Sequence, residues 1–205
     1  MTTLVIRKGL VWRVIMGTFH LLSAVVWPTR VRGRHHIPAE GCALVLANHQ
    51  SALDIPLIAK AAHHRHLAFV ARQSLARWRV MEFVMRHCGA IPIDRDRGDR
   101  SALRAMAEVL RAGGVVVIFP EGRRSRSGAL GEPKKGALLA ARQAGAPLGA
   151  CAVDGSHAAW PPGRLPRPGR VRVTFGAPVA PDRPDALQAT WSQVRGFLEE
   201  PAGVD

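Results

Sequence analysis

His49 and Asp54 stand five positions apart, just past the short apolar run Ala43-Leu44-Val45-Leu46-Ala47 and an asparagine, Asn48. An imidazole titrates near neutrality, and a neighbouring carboxylate fixes its tautomer, so the pair has what a general base needs. Five residues turn through about 500° of an ideal helix, so the two side chains do not share a helical face. His49 therefore belongs on a strand-end loop, with Asp54 in or at the first turn of the next helix. Ser51 or Asp54 is placed to cap that helix, and Pro56 sits where a first-turn proline is tolerated.

A second group of residues is built for anions. The strand-like run Val115-Val116-Val117-Ile118-Phe119 leads into Pro120-Glu121-Gly122-Arg123-Arg124-Ser125-Arg126-Ser127-Gly128. Three arginines and a glycine at the carboxyl end of a strand suit a phosphate, and Glu121 among them is expected to be held ionised by the arginines and to orient them. The alternative is a solvated basic loop. Arg72 closes the strand-like run Leu67–Ala71, and Arg95 follows the run Ala90–Ile93; strand ends of this kind are where ligands gather in open α/β sheets.

The elements that must hold these residues can be read from periodicity and punctuation. Apolar runs at 43–47, 67–71, 90–93, 115–119, 147–153 and 171–175 read as strands. Amphipathic stretches at 78–87, 97–112, 136–144 and 182–200 read as helices, with Gly113-Gly114 and Gly145 as stops. The run 43–47 is apolar on both faces, as in a covered sheet, whereas 171–175 alternates. His35 and His36 are expected on an exposed strand, facing opposite ways. The alternation of strands and helices predicts a single α/β domain with a covered, mostly parallel or mixed sheet. Residues 9–27 form a further helix, apolar on most sides but interrupted by Arg13 and His20, with Trp12 and Trp27 near its ends. A spanning helix needs about 20 apolar residues and disfavours a central charge, so a membrane-associating helix that dips into one leaflet, or a short anchor, is expected over 1–28, with the catalytic domain over 29–205. An ordinary helix packed on the domain is the other reading, and exposure of Leu10, Val14, Leu21 and Val25 separates the two.

Composition narrows the partners. The formal net charge is +14, carried by 25 Arg and 4 Lys, so phosphorylated metabolites, anionic lipid, acidic carrier proteins or nucleic acid are candidates. Aromatic residues are only 5%, with no tyrosine, and no helix-turn-helix or RNA-binding signature occurs, which disfavours nucleic acid. Cys42, Cys88 and Cys151 have no metal-ligand spacing and read as free thiols, and the cluster His63-His64-Arg65-His66 lacks a carboxylate, so no metal is expected.

Together the strand-end clusters resemble the glycerolipid acyltransferase family. Asn48-His49 with Asp54 is similar to its His-x-x-x-x-Asp signature, Gly89-Ala90-Ile91-Pro92-Ile93-Asp94-Arg95 to a Gly-x-Ile-x-Ile-x-Arg block, Phe119-Pro120-Glu121-Gly122-Arg123-Arg124-Ser125 to a Phe-Pro-Glu-Gly-Thr-Arg-Ser block, and Ala146 to Gly155 to a proline-bearing apolar strand ending in glycine. The four blocks fall in the family order. Arg123 replaces the threonine of the third, the internal proline of the fourth falls on Ala150, and Pro133 stands where phenylalanine is common before the lysine pair.

The resemblance implies the acyltransferase fold and transfer of a fatty acyl group from acyl-CoA or acyl carrier protein to the hydroxyl of 1-acyl-sn-glycerol-3-phosphate, giving phosphatidic acid. Another lysophospholipid or a lyso-ornithine lipid is the alternative acceptor. It implies His49 as base with Asp54 holding its ring, and Arg72, Arg95, Glu121, Gly122 and Arg124 as acceptor-binding residues. It implies no cofactor, and a place on the cytoplasmic face of a bacterial inner membrane. Ser51 lacks a Gly-x-Ser-x-Gly elbow, so direct transfer without an acyl-enzyme is expected, with the helix amino-terminus after His49 as the expected source of oxyanion donors. A non-catalytic basic module is the reading of a different class; it requires His49 and Asp54 to be dispensable.

Overall fold

β-Branched and leucine-rich segments are driven to pair edge to edge because one sheet buries both of their faces at once. In the computed structural model, which describes residues 9–72, 79, 82–83, 90–93 and 100–200, seven strands do so. They are β1 (Thr29–Arg32), β2 (Ala43–Ala47), β3 (Leu67–Arg72), β4 (Ala90–Ile93), β5 (Val115–Ile118), β6 (Leu148–Asp154) and β7 (Val171–Phe175). Their order is β1-β7-β6-β2-β5-β3-β4. The pairs β6·β2, β2·β5, β5·β3 and β3·β4 are parallel; β7 runs antiparallel to β6, and β1 runs parallel to β7. The expected mostly parallel, mixed α/β sheet is therefore what forms.

The helices are α1 (Leu10–Val26), α2 (Asp54–Ala61), α3 (Arg100–Arg111), α4 (Gly136–Ala144), the short α5 (Ser156–Ala159) and α6 (Ala186–Glu199). All five residues of β2 are buried. Successive side chains on a strand face opposite ways. Val45 and Ala47 accordingly join Phe69, Val117, Val153 and the α2 residues Leu57 and Ile58 on one face. Leu44 and Leu46 join Val116, Ala150, Leu110 of α3, Ala140 of α4 and Trp191 of α6 on the other. Each such aliphatic side chain stabilises the fold by about 1.5–3 kcal/mol when fully buried. The central position of β2 is thus set by its having no polar face to offer to water.

Several expectations are corrected. His35 and His36 lie in a 3₁₀ turn, Arg34–His36, with ring centroids 4.1 Å apart. Gly33 before it has φ 65°, and a Cβ there would sit 2.0 Å from the Phe175 carbonyl oxygen, so the chain must turn out of β1 through a glycine. β7 is buried throughout rather than on alternate residues. Arg172 is tolerated inside because its guanidinium donates to Asp154 (3.2 Å) and to the carbonyls of Phe197 and Glu200 (3.2 and 2.7 Å) at the end of α6. α6 begins at Ala186, not Asp182, since Asp185 is taken by Arg183 (2.8 Å) in the preceding turn. Cys42 and Cys151 are free, and burial pushes the Cys151 thiol far up. Most of the expected helix 78–87, the start expected for α3 at 97, and Cys88 lie outside the described residues.

α1 has two apolar sides. One packs on the domain: Met16 and Phe19 touch the core, Lys60 of α2 donates to buried Ser23 (2.8 Å), and Trp27 Nε1 donates to the Arg167 carbonyl (2.8 Å). The other faces outward, with Leu10, Val14, Leu21 and Val25 exposed at 77, 59, 73 and 82%. One face of this helix is therefore packed on the domain, and the other carries an exposed apolar stripe. No helix among the described residues is long and apolar enough to cross a membrane.

Candidate active site

The last residues of β2 and the loop after it build the site outward from the sheet. Asn48, fully buried, extends the β2·β6 ladder with its side chain: Nδ2 donates to the Val153 carbonyl (2.9 Å) and Oδ1 accepts from the Val153 N–H (2.7 Å). An amide carries both a donor and an acceptor, so it completes the pairing of a backbone unit that an apolar side chain would leave unsatisfied. This locks the chain just before His49.

Asp54 fixes the loop from His49 to Ser51. Its Oδ2 accepts from His49 Nδ1 (2.9 Å), from the Gln50 N–H (2.7 Å) and from the Ser51 N–H (2.8 Å), and the carboxylate is fully buried. An ionised carboxylate only accepts, so Nδ1 carries the ring proton and Nε2 keeps its lone pair. Nε2 makes no hydrogen bond among the described residues. The ring is 16% exposed and stacks on Phe119 at 3.9 Å between centroids, 17° from parallel, so it presents Nε2 to solvent with its plane already set. Asp54 is the first residue of α2 and makes no cap bond of the expected kind; Leu53 precedes the helix, and Ser51 Oγ accepts from the Leu53 N–H (3.1 Å) while donating to the Trp160 carbonyl (2.8 Å). Buried and doubly engaged, Ser51 is no nucleophile.

Of the expected oxyanion donors around the start of α2, four are engaged, while the N–H groups of Ala52 and Ile55 make no hydrogen bond among the described residues. The N–H groups of Gln50 and Ser51 are consumed by Asp54, that of Leu53 by Ser51 Oγ and that of Asp54 by the Ser51 carbonyl (3.5 Å). The backbone N–H groups of Arg123 and Arg124 likewise make no hydrogen bond among the described residues.

β5, paired to β2, delivers the third-block loop to the same rim. Glu121 Oε1 accepts from the His49 N–H (2.8 Å) and Oε2 from the Gly131 N–H (2.9 Å). No guanidinium among the described residues is a partner of Glu121, contrary to the expectation of an arginine-held carboxylate. Burial pushes its pKa up, outweighing the two N–H bonds that pull it down. Gly122 turns the chain at φ 78°, with its N–H on the Phe119 carbonyl (3.0 Å); a Cβ there would lie 3.1 Å from Lys134 Nζ. The Ser125 N–H donates to the His49 carbonyl (2.7 Å), and Gln50 Nε2 to the Gly128 carbonyl (2.7 Å). The loop is thus docked on the histidine segment, with Arg123, Arg124 and Arg126 exposed and their guanidinium groups unpaired among the described residues.

Of the other sequence-derived positions, Arg72 ends β3, one strand beyond β5, opposite Ile93 of β4; Arg95 lies outside the described residues. Phe119, Gly131 and Gln50 were not singled out from sequence. Only Phe119 carried a signal, as the first residue of the third block.

A mostly parallel sheet with its candidate site gathered at the carboxyl ends of central strands defines this as an α/β domain whose site sits where the strand order reverses, between β6, β2 and β5. The chain belongs to the acyltransferase family: the family model described as Acyltransferase matches residues 28–154. It is 28% identical over 183 residues to the chloroplastic 1-acyl-sn-glycerol-3-phosphate acyltransferase BAT2 of Brassica napus, covering 82% of this chain and 53% of that protein. It is 35% identical over 106 residues to the 1-acyl-sn-glycerol-3-phosphate acyltransferase of Helicobacter pylori, covering 50% and 44%. The chain spans about half the length of these curated relatives. The crystal structure of the 1-acyl-sn-glycerophosphate acyltransferase PlsC of Thermotoga maritima superposes with a TM-score of 0.78 at 27% identity, over 94% of this chain and 81% of that one.

Replacing Asn48 by Ala strands a buried N–H and carbonyl on Val153, and each unsatisfied group costs about 1–3 kcal/mol. Urea denaturation of Asn48→Ala is expected to show stability lower by about 2–4 kcal/mol; an unchanged midpoint would mean that the bridge contributes nothing.

Proposed function

We propose that this protein transfers a fatty acyl group from an acyl-CoA or acyl-carrier-protein thioester to the free hydroxyl of 1-acyl-sn-glycerol-3-phosphate, giving phosphatidic acid. The observation that carries the reading is His49, held through Nδ1 at 2.9 Å by a buried Asp54, beside a loop of arginines; Nε2 and those guanidinium groups have no partner among the described residues. Nε2 takes the proton of the acceptor hydroxyl as its oxygen attacks the thioester carbonyl. Asp54 stabilises the imidazolium that forms. The tetrahedral intermediate then expels the thiolate, which takes the proton back from Nε2–H, leaving an ester and a free thiol. In this reading the N–H groups of Arg123 and Arg124, unbonded among the described residues, supply donors to the oxyanion.

The acceptor carries a phosphate, and Arg124 with Gly122, Arg72 and Arg95 forms its binding half. Guanidinium forks match phosphate oxygens and stay charged at every working pH. Glu121, although assigned to this half from the family block, has both oxygens on backbone N–H groups. The acceptor is a membrane lipid, and the exposed stripe of α1 supports a monotopic seat in one leaflet. A coenzyme A or carrier-protein thioester as donor supports a site on the cytoplasmic face of the membrane.

Three measurements test this. With purified protein, lysophosphatidic acid and parallel acyl-CoA and acyl-carrier donors, His49→Ala is expected to lower turnover by about 10²–10⁴-fold; near-normal turnover removes His49 from the role of base. Arg124→Ala is expected to raise the acceptor KM about tenfold or more and leave the donor KM near its original value; the reverse pattern would assign the loop to the donor. The double variant Leu21→Asp, Val25→Asp is expected to lower binding to vesicles containing anionic lipid by about tenfold or more with the thermal midpoint unchanged; undiminished binding places the membrane contact elsewhere.

A further inference from the structure

A loop that carries substrate-binding arginines must be closed at its neck, and the histidine beside it must be held in the plane of the hydrogen bond to Asp54. One carboxylate does both. Glu121 Oε2 accepts from the Gly131 N–H (2.9 Å), joining the two ends of the segment 121–131, while Oε1 accepts from the His49 N–H (2.8 Å). Gly131 is fixed from behind as well, since its carbonyl accepts from Trp191 Nε1 of α6 (3.0 Å). Further along, the Ser125 N–H bonds the His49 carbonyl and Gln50 Nε2 bonds the Gly128 carbonyl, so the peptide units on both sides of His49 are bracketed by the loop. A carboxylate whose two oxygens point at backbone N–H groups has its strongest acceptor directions occupied and is poorly placed to bind an acceptor hydroxyl as well.

Resting on the acyl-transfer reading above, we propose that Glu121 is a positioning residue: it acts through the backbone of His49 and of Gly131, and does not contact the acceptor. The side chain sets where Nε2 stands relative to the reacting carbonyl. Gly131 offers an independent handle, because a Cβ there would lie 2.8 Å from Glu121 Oε2 and drive the carboxylate from its seat while leaving Glu121 itself in the chain. Gly131 is absent from the left-handed glycines, so alanine is accepted by the backbone.

The experiment compares wild type, Glu121→Gln and Gly131→Ala for kcat, acceptor KM and amide hydrogen exchange of the peptide spanning residues 47–52, with thermal midpoints as the folding control. Glu121→Gln replaces one acceptor oxygen by an NH₂ that faces an N–H. Both variants are expected to lose kcat by up to about 10²-fold, as misplacement by about 1 Å does. The acceptor KM is expected to stay within about twofold, and the His49 amide to exchange faster. A rise of about tenfold or more in acceptor KM for Glu121→Gln, with kcat and His49 exchange retained, would assign Glu121 to the acceptor and overturn the proposal. So would a Gly131→Ala enzyme with wild-type kcat and unchanged exchange. If Glu121→Gln does not fold, Gly131→Ala decides alone. If wild type transfers no acyl group, the acyl-transfer reading fails, and the exchange comparison still shows whether Glu121 holds His49.

Discussion

One buried oxygen, Asp54 Oδ2, organises the site. It accepts from the His49 ring and from two successive backbone N–H groups, so the same atom fixes the imidazole and the path of the chain that bears it. Three donors converging on one buried oxygen hold the ring with Nδ1 toward the carboxylate and Nε2 outward. The geometry also explains why the pair must be five residues apart. The carboxylate starts α2 and reaches back across the loop, which a spacing of three or four on one helical face would not allow. The N–H groups so engaged are lost to any other use.

Around this centre the surrounding side chains fix the backbone. Asn48 ties the loop to β6, Glu121 and Ser125 tie it to the segment after β5, and Phe119 supplies the surface on which the ring lies. The arginines of that segment are left exposed, their guanidinium groups unpaired among the described residues. A rigid acid–base pair and a free cationic rim are complementary needs. Proton transfer tolerates little positional error, whereas a phosphate is captured by charges that remain available to it.

Much of the scaffold was legible because it is periodic. β2 and β7 have the bounds read from their apolar runs, and Gly145, at φ 62°, ends α4 as expected. The buried Arg172 and the 3₁₀ turn at Arg34–His36 were not legible. A guanidinium inside a sheet depends on carbonyls at the end of a distant helix, and the turn depends on the Phe175 carbonyl closing over Gly33. The N-terminal helix was legible as an apolar element, but not as one that divides its faces between α2 and the outside, because its pattern alone does not name the surface that covers each side.

By itself the sequence determined where six of the seven strands lie, that their ends carry a histidine, an aspartate and a set of arginines, and that four blocks fall in family order along them. Those are properties of local pattern: side-chain periodicity reports burial, and residue type reports available chemistry. The tertiary structure alone decided which partners were chosen. Glu121 meets the His49 amide 72 positions away instead of an adjacent arginine, and Asn48 meets Val153 across 105 positions. A hydrogen bond is set by distance and direction at its two atoms, and neither is written in the chain until the sheet brings the ends of β2, β5 and β6 together.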